Sequence, residues 1–232
     1  ARFTYPRGIT TDGTNLYVAD TNNNMIRKIV ISTGAVTTFA GSTSYGSTNA
    51  TGTAARFYYP RAITTDGTNL YVADTNNHMI RKIVISTGAV TTLAGSPGSS
   101  GSTNGTGTSA RFYNPRGITT DGTNVYVADT TNHMIRKIVI STGAVTTLAG
   151  STSYGSTDGT GTSARFYYPR GITTDGTNVY VGDFANNSIR KIVISTGVVT
   201  TIAGSTSAGS ADGFGSGASL SGPMGLTYEG SN

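Results

Sequence analysis

One sequence unit is repeated four times along this chain of 232 residues, and the repeat constrains the fold more than any other feature. Each copy stays close to the pattern ARFxxPRGITTDGTNxYVADTxNxMIRKIVISTGAVTTxAGS. Five prolines mark the period with spacings of 54, 55, 54 and 54 residues: Pro6, Pro60, Pro115, Pro169 and Pro223. A period of about 40–55 residues that contains several short strands and no helix is typical of propeller blades.

The first copy shows how one unit divides into strands. Residues 7–11 (RGITT) end at the Asp12-Gly13 turn signal, and residues 15–19 (NLYVA) alternate in the manner of a half-buried strand. Residues 25–32 (MIRKIVIS) are rich in β-branched side chains, which favour strands. Residues 35–40 complete the unit as its outer strand. Each unit therefore predicts four strands.

These units predict an all-β propeller with NHL-like four-stranded blades at residues 1–54, 55–109, 110–163 and 164–217. Residues 218–232 align with the start of the repeat and predict one extra innermost strand, a partial fifth blade. The glycine- and serine-rich stretch at residues 41–54 predicts an irregular link between blades. Three arrangements remain open: a segment of a larger ring of about six blades, pairing with a second copy, or closure as a four- or five-bladed ring.

Composition narrows the class of protein. Only 12% of the residues are charged, there is no cysteine, and glycine, serine and threonine are abundant. This composition favours an extracellular or cell-surface bacterial protein, and the absence of cysteine excludes disulfides and thiolate chemistry. The net charge of +5 comes from the repeat itself, so we expect rings of basic charge around the molecule.

The sequence resembles an NHL-repeat β-propeller. Asn77-His78-Met79 and Asn132-His133-Met134 nearly spell the triplet that names the family, and YVADTNNHMIRKI at residues 71–83 matches its core. Residues 158–172 resemble the loop and first strand of bacterial, secreted or surface members. The resemblance covers the whole chain and implies a propeller. It leaves function open, because the family includes enzymes, RNA-binding proteins and protein-binding modules.

The first candidate site is a ring of arginines. Arg7, Arg61, Arg116 and Arg170 each follow a proline at the start of an innermost strand, so we expect them at one mouth of the central channel. Four converging guanidinium groups suit a carboxylate, a phosphate or a sulfated sugar. The alternative is that each arginine binds carbonyl groups or an aspartate of a neighbouring blade.

Tyrosines accompany this ring. Tyr59, Tyr113 and Tyr168 lie just before the prolines, and we expect them on the same face, where they can stack on sugar rings. The alternative is a structural or solvated role.

Other polar positions favour structure over chemistry. Asp20 is followed seven residues later by Arg27, and the same pair recurs in each unit, which predicts one scaffold ion pair per blade. His78 and His133 occupy equivalent loops on different blades, so they cannot share a metal ion. Asp158 and Asp212 hint at calcium loops, but earlier copies have asparagine there.

The sequence predicts a non-catalytic binding or interaction module at the cell surface, without cofactor or metal. Its partner is an anionic ligand or acidic glycan at the channel mouth. The alternatives are a structural repeat scaffold for protein–protein assembly, with other proteins or further copies of the chain, and RNA binding by the basic face. Nucleic acid suits the secreted-type composition poorly. No apolar run is long enough to span a membrane.

Overall fold

A computed structural model describes residues 1–229 and contains four antiparallel sheets, which we call blades 1 to 4. Blade 1 contains β1 (Pro6–Thr11), β2 (Asn15–Asp20), β3 (Met25–Val30) and β4 (Val36–Gly41). Blade 2 contains β5 (Pro60–Thr65), β6 (Asn69–Asp74), β7 (Met79–Val84) and β8 (Val90–Gly95). Blade 3 contains β10 (Pro115–Thr120), β11 (Asn124–Asp129), β12 (Met134–Val139) and β13 (Ala144–Gly150), and the two-residue strand β9 (Gly105–Thr106) joins its outer edge. Blade 4 contains β15 (Pro169–Thr174), β16 (Asn178–Asp183), β17 (Ser188–Val193) and β18 (Val198–Gly204), with β14 (Gly159–Thr160) at its edge.

The turn at Asp12-Gly13 is held by the aspartate side chain. The Asp12 carboxylate accepts hydrogen bonds from the Asn15 amide at 2.7 Å and from the Tyr17 hydroxyl at 2.9 Å. Gly13 has a φ of 87°, a conformation that costs glycine little. The same turn recurs in every blade, so the sequence pattern fixes the register between the first two strands.

The cores lie between neighbouring blades. At the first interface, Tyr17 and Ile26 of blade 1 pack against Phe57, Ile63 and Val72 of blade 2, and all five are buried. Equivalent clusters lie between blades 2 and 3 and between blades 3 and 4. Because each interface contains residues from two successive repeats, no blade can complete its core alone.

The innermost strands approach one another closely. A Cβ atom added to Gly8 of β1 would lie 2.7 Å from the Arg61 carbonyl oxygen of β5, which is too close for any side chain. This crowding explains why the position after the arginine holds glycine or alanine in every blade. It also brings the arginines of successive strands together.

The links between blades contain little regular structure, as the sequence predicts, apart from one short turn near the end of each. Each forms a short 3₁₀ turn, at Gly52–Ala54, Gly107–Ser109, Gly161–Ser163 and Gly215–Gly217. Three further 3₁₀ turns at Thr21–Asn23, Thr75–Asn77 and Thr130–Asn132, and a fourth at Phe184–Asn186, follow the second strand of each blade. Three of these links also pair with the outer strand of the blade that follows, as in Gly105 with Val145. The prediction of an irregular link is therefore confirmed for residues 42–50, and only the short turn at Gly52–Ala54 departs from it.

Residues 218–229 lie against blade 4 at the place of an innermost strand, and residues 230–232, the end of the predicted fifth strand, lie outside the described part. The Tyr228 ring stacks parallel to Tyr180 at 6.2 Å, and Leu226 reaches Gly171 and Gly182. This segment forms no strand ladder, because no second strand lies beside it in residues 1–229.

The front of blade 1 is uncovered. Ile9 is 60% exposed, whereas its equivalents Ile63, Ile118 and Ile172 are 5–7% exposed beneath the preceding blade. A surface depression of about 310 Å³ lies over this face and is lined by Phe3, Pro6, Arg7, Gly8, Ile9, Val18 and Ile29. Within residues 1–229, no helix is long and apolar enough to cross a membrane.

Candidate functional site

The four inner strands and residues 224–226 surround one central cavity of about 410 Å³. Its wall repeats the same three side chains in each blade, namely an arginine, a glycine or alanine, and an isoleucine. Arg7, Arg61, Arg116 and Arg170 all line it, as the sequence predicts, and we call these four residues the arginine ring. The fifth copy contributes Met224, so one side of the cavity wall is uncharged.

The arginine ring lacks counter-charges. None of the five ion pairs among residues 1–229 includes one of its members. The buried Nε atoms of Arg61, Arg116 and Arg170 have no hydrogen-bond partner within the described part of the chain, a feature that they share with the ion-paired arginines described below. Arg170 instead approaches Met224 Sδ at 3.8 Å and lies 3.3 Å above the Phe184 ring centroid. The alternative that each ring arginine binds an aspartate of a neighbouring blade is therefore not observed.

Burial and mutual repulsion both disfavour the charged forms of the ring arginines. Burial, followed by the charges of Arg116, Arg7 and Arg170, lowers the pKa of Arg61 to about 10. Burial and the charges of Arg116 and Arg7 lower the pKa of Arg170 to about 10 as well. Guanidinium groups remain protonated at neutral pH under these conditions. The cavity therefore holds concentrated positive charge that an anion would neutralise.

A second set of arginines, one on the third strand of each blade, is neutralised by ion pairs with aspartates. Arg81 is buried, and its Nη1 donates to Asp74 at 3.0 Å while its Nη2 donates to Asn49 at 2.7 Å. The predicted scaffold pairs are confirmed in all four blades, with N–O distances of 2.8–3.1 Å: Asp20–Arg27, Asp74–Arg81, Asp129–Arg136 and Asp183–Arg190. In blade 4, Asp158 takes the linker position of Asn49 and binds Arg190 at 2.7 Å. Asp158 thus holds the linker to blade 4, and we call this contact between a linker residue and the buried arginine the linker clasp.

The buried aspartates also position the arginine ring. Asp74 Oδ1 accepts the Tyr58 amide at 2.7 Å, and Asn24 Oδ1 of the preceding blade accepts the next amide, of Tyr59, at 2.9 Å. Tyr59 has a φ of 53°, which is an unfavourable conformation for a tyrosine. Two fixed amides and Pro60 then direct the backbone into β5, so that Arg61 points into the cavity.

The three predicted tyrosines do not share one environment. Tyr59 and Tyr168 occupy the same repeat position, directly before the prolines that precede Arg61 and Arg170. Tyr59 partly offsets the lowering of the pKa of Arg61, and Tyr168 does the same for Arg116. Tyr113 lies one residue earlier in its repeat, two residues before Pro115. It packs edge-on against His78, with ring centroids 5.5 Å apart. None of the three lines the cavity itself. They lie at its rim or farther out.

Sequence reasoning missed two further tyrosines in the linkers. Tyr45 stacks on Tyr58 and Tyr154 stacks on Tyr167, each with centroids 4.6 Å apart, and both linker tyrosines are about two-thirds exposed. The sequence does distinguish these two linkers from the others, because only residues 42–46 and 151–155 read SerThrSerTyrGly and so carry this tyrosine. The interface between blades 2 and 3 closes without such a tyrosine, so the fold does not require these stacks.

The two histidines act as hydrogen-bond acceptors between blades. His78 Nδ1 accepts the Asn114 amide at 3.2 Å, and His133 Nδ1 accepts the Tyr168 amide at 3.1 Å. Asn24 and Asn187 perform the same task in the other blades. Because both side chains can accept this hydrogen bond, either histidine or asparagine can occupy this position.

This role predicts a pH effect. Burial lowers the pKa of His78 and His133 below the ordinary value. The unfolded chain therefore takes up protons first as the pH falls through about 6.5, and the folded state loses stability below that pH. We expect the double change His78→Asn and His133→Asn to reduce the drop in melting temperature between pH 8 and pH 5, measured by circular dichroism. An equal drop in melting temperature between pH 8 and pH 5 in the variant and in wild type would contradict the acceptor role of the two histidines. Wild type is the reference because burial raises the pKa of Asp74 and Asp129 to about 6 in both proteins. These two carboxylates therefore contribute equally to the pH dependence of each protein.

Comparison with known proteins yields relatives by sequence. No protein-family profile matches the chain. It is 31% identical over 245 residues to protein SUPPRESSOR OF QUENCHING 1, chloroplastic, of Arabidopsis thaliana, an alignment that covers 97% of this chain and 23% of that protein. It is 28% identical over 238 residues to human NHL repeat-containing protein 2, covering 87% of this chain and 33% of the relative. The chain thus spans a third or less of the length of these two relatives.

Solved structures share the fold. An auxiliary nutrient binding protein from Bacteroides thetaiotaomicron superposes with a TM-score of 0.61 at 22% identity, over 81% of this chain and 45% of that one. A catalytically inactive virginiamycin B lyase from Staphylococcus aureus, solved with quinupristin, gives 0.59 at 19% identity, over 85% and 55%. At such identities the likeness establishes architecture and leaves chemistry open, since the fold includes an enzyme. The repeat, the blades and the sequence relatives agree: the fold is that of a β-propeller, and the chain is similar in sequence to NHL repeat-containing proteins.

Proposed function

We propose that this chain is a non-catalytic binding module at the cell surface that takes an anionic ligand at the arginine ring. The observation that carries the proposal is the convergence of four arginines on one cavity without a carboxylate partner among residues 1–229. Unpaired and partly desolvated guanidinium groups gain most from a carboxylate, phosphate or sulfate, because charge-assisted hydrogen bonds are strong where water is excluded.

The ligand class follows from the size of the cavity and the character of its rim. A volume of about 410 Å³ lies within the range of about 300–1,000 Å³ found for small-molecule sites. Tyr59 and Tyr168 at the rim offer ring faces for stacking on a sugar. We therefore favour an acidic sugar or a sulfated oligosaccharide whose charged groups enter the cavity. The likeness to a nutrient binding protein and the low charge of the chain support a surface-exposed binding role.

The test removes two ring charges. We expect Arg61→Gln with Arg116→Gln to weaken binding of a heparin-derived oligosaccharide by about 100-fold or more, since each charged hydrogen bond contributes about 1.5–3 kcal/mol. Isothermal titration calorimetry at two ionic strengths measures this, and wild-type affinity should fall with added salt.

The matched control is Lys82→Gln with Lys137→Gln. It changes the net charge equally but alters lysines on the third strands, which do not line the cavity. Retained binding in the arginine variant, or an equal loss in the lysine variant, would contradict a site at the arginine ring.

A second candidate function is protein–protein assembly. The exposed front of blade 1 favours it, because Ile9 is uncovered where every equivalent isoleucine is buried. An apolar face of this kind suits contact with another propeller blade, from the same protein or from a partner.

A further inference from the structure

Two of the linkers carry an exposed tyrosine whose ring lies flat on a tyrosine of the following blade. Tyr45 stacks on Tyr58 with ring centroids 4.6 Å apart and planes inclined by 24°. Tyr154 stacks on Tyr167 at the same distance with an inclination of 22°. The linker tyrosines are 67% and 65% exposed, so one face of each ring is covered and the other is open to solvent. We call these two stacked pairs the tyrosine platforms.

The platforms are exposed at the ring but fixed at the backbone. Tyr154 is followed by Gly155, whose amide donates to the Phe166 carbonyl at 3.2 Å and whose carbonyl accepts from Asn186 Nδ2 at 2.6 Å. Asn186 is buried and also donates to Asp183 at 2.8 Å. The equivalent contacts in the first platform join Gly46 to Phe57 and Asn77. Because the backbone is already held, little conformational entropy is lost when a ligand stacks on the ring.

The linker between blades 2 and 3 shows that folding does not need an aromatic ring at this place. Ser100 occupies the position of the platform tyrosine, directly before Gly101. Gly101 keeps both backbone contacts, since its amide donates to the Phe112 carbonyl at 3.2 Å and its carbonyl accepts from Asn132 at 2.6 Å. Serine therefore serves the linker as well as tyrosine does. A tyrosine that is exposed, stacked and held in place is suited to binding a ligand.

The surroundings of the platforms favour a sugar as the stacking partner. Both platform tyrosines lie within the same run of serine and threonine, residues 42–48 and 151–157, which carries no charged side chain. Arg56 passes beside Gly46, but its Nη1 donates to two backbone carbonyl groups of the linker at 2.8 and 2.7 Å. An uncharged sugar suits such a site, because its C–H bonds pack on the negative face of an aromatic ring. A nucleic acid would need free cations for its phosphates beside the stacked base.

Each platform adjoins the arginine ring along the chain. Tyr58 precedes Arg61 by three residues, and Tyr167 precedes Arg170 by three. Three residues of extended chain span at most about 11 Å, so a platform and a ring arginine lie within reach of one short oligosaccharide. In the second platform the rim tyrosine joins the stack, because Tyr168 lies 5.0 Å from Tyr167 with planes inclined by 27°. The aromatic surface thus continues from the exposed linker toward the cavity.

We propose that Tyr45 and Tyr154 each stack on an uncharged pyranose ring of a glycan whose acidic sugar occupies the arginine ring. The sugar that fits best has equatorial hydroxyl groups, as β-linked glucose does, because its faces then present only C–H bonds to the tyrosine. This inference rests on the proposed anion site and adds the neighbouring neutral sugars to it. The ligand is then a glycan in which neutral and acidic sugars adjoin, and the platforms are alternative subsites beside one cavity.

Calorimetric titration with a tetrasaccharide of three β-1,4-linked glucose units and a terminal glucuronic acid tests the platforms. Free glucuronic acid is the reference for the arginine ring alone. Tyr45→Ser with Tyr154→Ser should weaken tetrasaccharide binding by about tenfold or more, as the loss of a stacked aromatic contact does, and should leave glucuronic acid binding unchanged. Either single change should weaken it only about twofold, because the other of two equal platforms remains.

Two controls separate binding from folding. The double serine variant should melt at the wild-type temperature, because serine already occupies this position at Ser100. Tyr45→Phe with Tyr154→Phe should keep the wild-type affinity for the tetrasaccharide, since the ring face makes the contact. A serine variant that loses glucuronic acid binding to the same extent would show a disturbed fold and would overturn the platforms as a sugar site.

A gain of binding gives a second test. Tyr113 occupies the repeat position of Tyr58 and Tyr167, and Ser100 is the linker residue that would lie over it. Ser100→Tyr, added to the double serine variant, should therefore create a new platform. We expect it to restore tetrasaccharide affinity to within about threefold of wild type, as one platform in place of two would. A protein that stays at the affinity of the double variant would contradict the platform as the source of the affinity.

The remaining outcomes distinguish this inference from the proposed function. A wild-type chain that binds the tetrasaccharide no better than glucuronic acid overturns the platforms and leaves the arginine ring in place. Glucuronic acid binding that survives Arg61→Gln with Arg116→Gln overturns the arginine ring itself. Binding of a uridine oligonucleotide that the double serine change removes, without any binding of the tetrasaccharide, would assign the platforms to nucleic acid and overturn the sugar.

Discussion

Replacing Arg136 with methionine should lower the free energy of unfolding by about 3–5 kcal/mol, because it leaves the buried Asp129 carboxylate without its counter-charge. Arg136 is fully buried and donates to Asp129 at 2.9 Å, to Asn104 at 2.8 Å and to the Arg111 carbonyl at 3.0 Å. Its guanidinium also lies 5.3 Å above the Phe112 ring. One side chain thus joins the second strand, the linker and the core of a blade. Urea denaturation followed by circular dichroism measures the loss.

Blade 1 provides the matched control for this change. Arg27 forms the same ion pair with Asp20 at 3.1 Å, but its side chain is 12% exposed and no linker crosses it in residues 1–229. Arg27→Met should therefore cost clearly less than Arg136→Met. Equal losses at the two sites would mean that the linker clasp contributes nothing to stability.

Phe112→Ala should cost a similar amount, about 3–5 kcal/mol, because a large buried ring is replaced by a cavity. Phe112 is fully buried between blades 2 and 3, where it packs with Tyr71, Ile80 and Val127. The surrounding strands are held by their ladders, so we expect little collapse into the space. Denaturant unfolding should show a lower midpoint.

Phe3→Ala is the corresponding control. Phe3 occupies the same repeat position in blade 1, but it is half-exposed at the edge of the open face. We expect its removal to cost less than half as much. A Phe3→Ala loss equal to that of Phe112→Ala at high dilution would contradict the open face.

Much of the fold was predictable because each repeat carries its own local signals. The Asp12-Gly13 turn, the alternation at residues 15–19 and the β-branched third strand determine the strands and their register within a blade. The pairing of Asp20 with Arg27 was predictable for the same reason, since both lie on one hairpin at paired or nearly paired positions. The position of Arg61 at the channel mouth followed from its place after Pro60 on an innermost strand.

Contacts between blades were decided only by the tertiary structure. The acceptor role of His78 depends on an amide 36 residues away, and the clasp of Asn49 on Arg81 spans 32 residues. The linkers are irregular over most of their length, and the one or two residues that pair with the edge strand of the next blade carry no periodicity that would reveal this contact. The sequence by itself determined which residues form a blade. Only the packing of one blade on the next decided which linker residues bind the buried arginines and brought the arginine ring together without a carboxylate partner among residues 1–229.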